Sequence, residues 1–405
     1  LKYNWQNEAM RWRKDLTPIV LNGKNNFRCP NHGEIVIVNH DILPTELVPP
    51  KRVKGEYQYD YSIRIQTWRT LLKNVHPTLD DMTLIVDEAH LYKNYDAARS
   101  KKVKQLCAMS KKVIGLTGSP LDNRPQDLYG VFDTLGLAKD TFGNFDKFKD
   151  LFNCDEDPIP TRRGMVYKTV WGKPQAIVPE LLRRTMLRRK RQEVLPDLPS
   201  KTYTNFVVGD ISKNLKEELD RLWEEYQNDP VKIQGELPSF EKFSKIRAEL
   251  AKDRIPAMLE FVENAEEEEV PLVIFSSHLQ PLDQLLVRKG WSVISGVASP
   301  ERRQQIVDAF QSGNLNGIGV STKAGGVGIT LTRAWKALFL DLDWSPASNW
   351  QAEDRLARIG QTSNKVEIVR MVSNHPLDLH LHNMLVNKIN TINMSIDSMI
   401  VPATK

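Results

Sequence analysis

Leu84-Ile85-Val86-Asp87-Glu88-Ala89-His90 decides how this chain is read. An apolar, β-type run ends abruptly in two adjacent carboxylates and a histidine. A buried strand that delivers acids to its carboxyl edge is how an open α/β sheet presents a magnesium–phosphate site. In that reading Asp87 holds the metal through water, while Glu88 orients and deprotonates an attacking water. The same residues also fit an ordinary strand end followed by a solvated acidic turn, and a short motif alone does not separate the two.

Working outward, Lys112-Val113-Ile114-Gly115-Leu116 reads as a second buried strand. It breaks into Thr117-Gly118-Ser119-Pro120, where Gly and Pro stop the strand and leave two hydroxyls at its tip. Far downstream, Gly317 to Thr322 leads into Lys323-Ala324-Gly325-Gly326-Val327-Gly328-Ile329-Thr330, a glycine cluster that lets backbone N–H groups approach a phosphate closely. Lys336 to Asp341 is another strand ending in polar residues, with Trp344 and Pro346 just beyond. The run from Gln351 to Gln361 reads as a helix that carries Arg355 and Arg358 on one face at i, i+3 spacing. Surface charge is the ordinary use of such a pair.

Taken together, D-E-A-H at 87–90, L-T-G-S-P at 116–120, S-T-K-A-G-G-V-G-I-T-L-T at 321–332 and Q-A-E-D-R-L-A-R-I-G-Q at 351–361 resemble motifs II, III, V and VI of superfamily 2 helicase-like ATPases, in order. The R-I-G-Q ending is similar to the SWI/SNF-type family of double-stranded DNA translocases. Leu187 to Lys190, Val194 to Lys201 and Pro271 to His278 resemble further family segments, and the stretch from Ile246 to Phe261 leans towards the annealing-helicase-like branch.

The resemblance implies an α/β fold of two RecA-like lobes, parallel sheets flanked by helices with helical insertions, using ATP and Mg2+ and acting on double-stranded DNA. Lobe one is expected over residues 1–235 and lobe two over 236–405. ATP would sit between them. Asp87 would hold Mg2+ through water and Glu88 would serve as base; Gln351, Gly326 and Gly328 would line the nucleotide, and Arg355 and Arg358 would reach it as arginine fingers. His90, Thr117, Gly118 and Ser119 would couple the phosphate site to motion. Ser321, Thr322 and Lys323 would contact the DNA backbone. Trp344 would transmit or contact the tracked strand, with a core tryptophan as the other reading. Asn39 falls where a family loop nears DNA, or in a plain polar turn. One departure stands out: G-x-x-x-x-G-K-[ST] is absent, and neither Gly23-Lys24 nor Gly172-Lys173 fits it. The resemblance implies that the first strands and the P-loop lie upstream, that lobe one is incomplete, and that these residues alone hydrolyse ATP inefficiently.

Composition sets the outer bounds. At 405 residues two or more domains are expected, and 40% hydrophobic with 26% charged residues is an ordinary globular profile. No apolar run approaches the roughly 18 residues of a membrane span. Three scattered cysteines argue against a disulfide scaffold and fit a reducing, intracellular compartment, cytoplasmic or nucleoid in a bacterium or phage and nuclear in a eukaryote. Cys29-Pro30-Asn31-His32 has C-x-x-H spacing without a second ligand pair nearby. A net charge of +5 permits polyanion binding without requiring it. The dense run Arg183-Arg184 and Arg188 to Arg191 fits either a solvated face or contact with DNA phosphates or the facing lobe. Residues 139–174 read as an irregular insertion. Two other functions remain open from sequence: a strand-separating helicase, and a DNA-binding module without ATP turnover.

Overall fold

The computed structural model describes all residues except 1, 24–25, 76–80, 119–124, 162–163, 190, 210, 229–239, 323–327 and 388–405. The chain forms two compact units, one from Leu1 to Arg188 and one beginning at Arg189. Each is a parallel α/β assembly, as the alternation of strand and helix patterns anticipates.

In the first unit β1 (Thr17–Val20) pairs in parallel with β2 (Glu34–Ile37), and β3 (Thr83–Val86) with β4 (Lys112–Gly115). The helices Gln58–Val75, Ala98–Met109 and Pro125–Thr134 flank these strands. Leu72, Val86, Ala89, Leu106, Met109 and Val131 belong to one buried cluster, so the strand end that carries the acids is anchored in the unit's core. Most of the described residues within 139–174 form regular elements rather than an irregular insertion. Short helices Ala138–Phe142 and Phe145–Leu151 precede an antiparallel hairpin of β5 (Asp155–Thr161) and β6 (Gly164–Val170). Its aromatics explain the difference: Phe142, Phe148 and Phe152 pack ring on ring, with Phe148 and Phe152 centroids 4.5 Å apart. Such contacts supply a small core of their own.

The second unit is built on six parallel strands in the order β7 (Ser200–Val208), β12 (Lys365–Ser373), β11 (Lys336–Phe339), β8 (Leu272–Ser276), β10 (Gly317–Ser321) and β9 (Trp291–Ile294). Every residue of β8 and β10 is buried. Period-two alternation sends Val273 and Phe275 to one face with Phe310 and Ile318, and Leu272 and Ile274 to the other with Met258 and Val262. Helix Lys213–Gln227 buries Leu215, Leu219 and Leu222 as its apolar spacing requires, against Leu250, Leu377 and Leu381.

The division at 188/189 falls well before the expected 235. All nine residues of β7 pair in register with the nine of β12, which commits residues 200–208 to the second sheet.

Gly130 is the tightest contact under the acidic turn. A methyl there would lie 1.8 Å from the Lys93 carbonyl oxygen, directly after the helical turn Ala89–Tyr92. Gly130→Ala must therefore push its helix away, at an expected cost of about 3 kcal/mol. Urea unfolding measures this; a loss under about 0.5 kcal/mol, the scale of a neutral surface change, would show that the two elements slide freely.

Candidate functional site

β3 ends in Val86, which is buried, and the chain then turns sharply. The Leu116 amide donates to the Val86 carbonyl, and the Ala89 amide donates back to the Leu116 carbonyl, both at 2.8 Å. Between these bonds Glu88 adopts φ 47° and ψ 49°, the left-handed region that a non-glycine residue seldom occupies. Such strain persists only where surrounding contacts over-determine it, and it concentrates at functional positions. Here Ala89 and Tyr92, both buried, pin the following turn.

The Asp87 carboxylate is held on both sides. Its Oδ1 accepts the Glu88 amide and its Oδ2 accepts the Trp5 indole N–H, each at 2.9 Å. Each oxygen keeps lone-pair capacity. Among the described residues no cluster of three or more His, Cys, Asp or Glu would ligate a metal directly. A single oriented carboxylate suits Mg2+, which retains several waters and takes one or two protein carboxylates. Trp5 was not legible in the sequence as a member of this site, because it lies 82 residues away.

His90 joins the two strand ends. Its Nδ1 lies 3.0 Å from the Thr117 hydroxyl and 3.3 Å from the Glu88 carboxylate. Beyond Thr117, the Gly118 carbonyl accepts a 3.3 Å bond from Arg188, so that member of the basic run reaches back to the tip of β4. Ser119 lies outside the described residues. Asn39 is exposed, just past β2, with its side chain not engaged in capping the turn His40–Ile42.

In the second unit the helix expected over 351–361 is Pro346–Glu353, and Arg355 and Arg358 lie beyond it in tight turns rather than on a helical face. Backbone bonds shorten there: Arg355 N donates to Ala352 O and Leu356 N to Glu353 O, both at 3.1 Å. Arg355 is buried, and its carbonyl accepts the Leu331 amide at 2.9 Å. Arg358 Nη1 donates to the Ile329 carbonyl and the Thr330 hydroxyl at 3.2 Å. Both arginines are thus tied to the segment that follows the glycine cluster. Gln361 staples the turn through the Ala334 and Leu356 carbonyls, and Gly360 supplies the φ of 99° that it needs. Gln351 is half-buried on the helix, and Gly328 follows directly on 323–327, so Lys323 and Gly326 lie outside the described residues.

Two expectations change. Ser321 and Thr322 are 8% and 0% exposed, so they offer no surface to a DNA backbone as they stand. The apolar end of β10 runs on through them into the core. Trp344 is half-buried against two core clusters with the Arg247 guanidinium 4.5 Å over its ring, which favours the core reading of that residue.

Residues 1–217 match the SNF2-related domain and residues 243–360 the helicase conserved C-terminal domain. The chain belongs to the SNF2-related family. It is 26% identical over 406 residues to the DNA annealing helicase and endonuclease ZRANB3 of Bos taurus, across 96% of this chain and 35% of that protein. It is 30% identical over 321 residues to the SWI/SNF-related matrix-associated actin-dependent regulator of chromatin subfamily A-like protein 1 of Drosophila melanogaster, across 75% of this chain and 40% of that protein. This SNF2-related chain therefore spans about a third of the length of the first of these curated relatives. The solved Sulfolobus solfataricus SWI2/SNF2 ATPase core in complex with dsDNA aligns with 98% of this chain and 80% of its own, at 22% identity and a TM-score of 0.38.

Beside the arginines, the SNF2-related chain carries an ion-pair network that sequence reading missed. Glu353 is 0% exposed; its carboxylate accepts from Lys201 at 2.9 Å, Tyr203 at 3.0 Å and Arg370 at 3.1 Å. Lys201 also pairs with Asp354 at 2.8 Å, and Arg370 stacks 4.5 Å over the Tyr203 ring. Burial alone would lower Lys201, yet the Glu353 and Asp354 carboxylates hold it above its ordinary value. Burial, then Glu353, pushes the Tyr203 phenol up to about 12.

Close by in sequence to the pairing of Asp378 with Arg254, His382 is 8% exposed, and burial followed by the Arg370 guanidinium pushes it down to about 4 from 6.5. In that window the unfolded imidazole binds a proton that the folded one refuses. Stability is therefore full above 6.5 and falls as pH drops to about 4, by on the order of 3 kcal/mol. His382→Gln should flatten that fall in denaturation series; an unchanged slope would assign it to another group.

Proposed function

We propose that the protein carrying this chain is a DNA-dependent ATPase that moves along double-stranded DNA and works inside the cell. The observation that supports this most is the relay at the ends of β3 and β4, where Glu88, His90 and Thr117 lie within 3.3 Å of one another in succession. A motor needs its hydrolytic group connected to a second element that can move. The histidine connects the carboxylate to the tip of β4.

Glu88 is the base that takes a proton as a water oxygen attacks the γ-phosphorus and ADP leaves. Mg2+, held by Asp87 through water, would neutralise phosphate oxygens when bound. Arg355 and Arg358 stabilise charge that develops on the transferred group, while Gln351, Gly326 and Gly328 line the nucleotide. His90, Thr117, Gly118 and Ser119 carry the response. Asn39 and Lys323 serve as contacts to nucleic-acid backbone, so base-sequence preference is low. The 405 residues contain no G-x-x-x-x-G-K-[ST].

The test is ATP turnover of the intact protein with duplex or single-stranded DNA. Stronger stimulation by duplex supports the proposal. Stimulation confined to single strands would make it a strand-separating helicase, and DNA binding without turnover a passive module. Glu88→Gln should keep nucleotide affinity and lose at least about 10²-fold in turnover, the scale of general base catalysis. Near-normal turnover would remove Glu88 from that role. Arg358→Ala should lower DNA-stimulated turnover by about 10³-fold with DNA affinity retained, and a loss under about tenfold would mean Arg358 is not a finger.

A further inference from the structure

The carboxyl end of a helix is negative, so two consecutive acids there stand against the helix dipole. Helix Pro346–Glu353 nevertheless closes on Glu353 with Asp354 as its cap, immediately before Arg355. One of these acids is also wholly desolvated, which is costly unless cations and donors surround it. An arrangement unfavourable on both counts points to a role in fixing geometry.

The compensating charge comes from the far edge of the sheet. Lys201 and Tyr203 stand two residues apart on β7 and so share a face, and Arg370 stands on the adjacent β12. Lys201 alone among them spans both acids, 2.9 Å from Glu353 and 2.8 Å from Asp354. These two residues are where the helix ends and the chain tightens. Asp354 N still donates to Trp350 O, four residues back, whereas Arg355 N donates to Ala352 O, three back.

We propose that Lys201 is a positioning residue for Arg355 and Arg358: by bridging Glu353 and Asp354 it fixes where the chain leaves the helix, and hence where both guanidinium groups start. The proposal rests on the reading of these arginines given above. The edge strand β7 thereby acts on the phosphate chemistry without touching the nucleotide. Loss of the ammonium would leave Glu353 short of a cation, and the turn would shift to rehydrate it. The shift would pass to Leu331, whose amide donates to the Arg355 carbonyl, and to the Arg358 bonds at Ile329 and Thr330.

Hydrogen exchange of the full-length protein reads this directly. In Lys201→Met the amides of Leu331 and Arg355 to Arg358 should exchange at least about tenfold faster, with β8 amides unchanged. Lys201→Arg should keep protection within about twofold, since a guanidinium can span the same two acids. In DNA-stimulated turnover, the Met variant should lose about tenfold or more in kcat with KM for ATP nearly constant, and the Arg variant should recover most of it. If Lys201→Met folds poorly, Lys201→Met with Glu353→Gln removes both charges, leaves the Arg370 guanidinium an amide oxygen to donate to, and should fold while still loosening the turn.

Unchanged exchange in the Met variant, or in the double variant where the single one does not fold, would overturn the proposal. So would faster exchange with turnover intact, provided Arg355→Ala itself abolishes turnover. Faster exchange while Arg355→Ala also turns over normally would sink the role assigned to the arginines and leave the mechanical tie standing.

Discussion

Two backbone hydrogen bonds, Leu116 N to Val86 O and Ala89 N to Leu116 O, extend the pairing of β3 and β4 past the last regular residue of each strand. They decide where the chain stops being sheet and becomes site. Because the strands run in parallel, their carboxyl ends lie side by side, and Asp87, Glu88, His90 and Thr117 all fall within a few residues of that edge. The left-handed turn at Glu88 is tolerated because these bonds and the buried Ala89 leave it no alternative. Loosening the ladder would relax the backbone and misdirect the carboxylate together.

The second unit handles its chemistry differently. The central strands of its sheet are buried on both faces, so a charged group set beside them needs partners from the protein. Glu353 is held by an ammonium, a guanidinium and a phenol, and Arg254 is paired with Asp378 and the Leu340 carbonyl. Breaking one such pair is far more damaging than never having it, because the partner is left charged in a dry environment. These groups therefore specify arrangement more than they add stability.

Much of this was legible from the chain alone. Buried parallel strands leave continuous apolar runs such as Leu272 to Phe275, and the helix Pro300–Gln311 lies where its capping serine and first-turn proline place it. The acids at 87 and 88 stood out because polar residues directly after such a run have few structural reasons to be there. What failed had physical causes. β7 exposes most of its length as an edge strand, so no continuous apolar run marks residues 200–208 as part of the second sheet. Arg355 and Arg358 have helical spacing, yet Gln361 and Gly360 wind that stretch into turns through bonds to distant carbonyls. The Lys201–Glu353 pair joins residues 152 apart, which no local pattern encodes. The aromatic packing within 138–152 likewise depends on partners such as Trp171, whose ring meets Phe148 edge-on.

The indole of Trp5 donates to the carboxylate oxygen of Asp87. An aromatic chromophore thus sits within the field of the one acid expected to meet a divalent cation, and it belongs to an amino-terminal helix that has no other evident part in the chemistry. Whatever neutralises that acid changes the field across the ring and so the colour of its emission. Trp5 is one of nine tryptophans, so this gauge of loading reads cleanly once the other eight indoles are replaced.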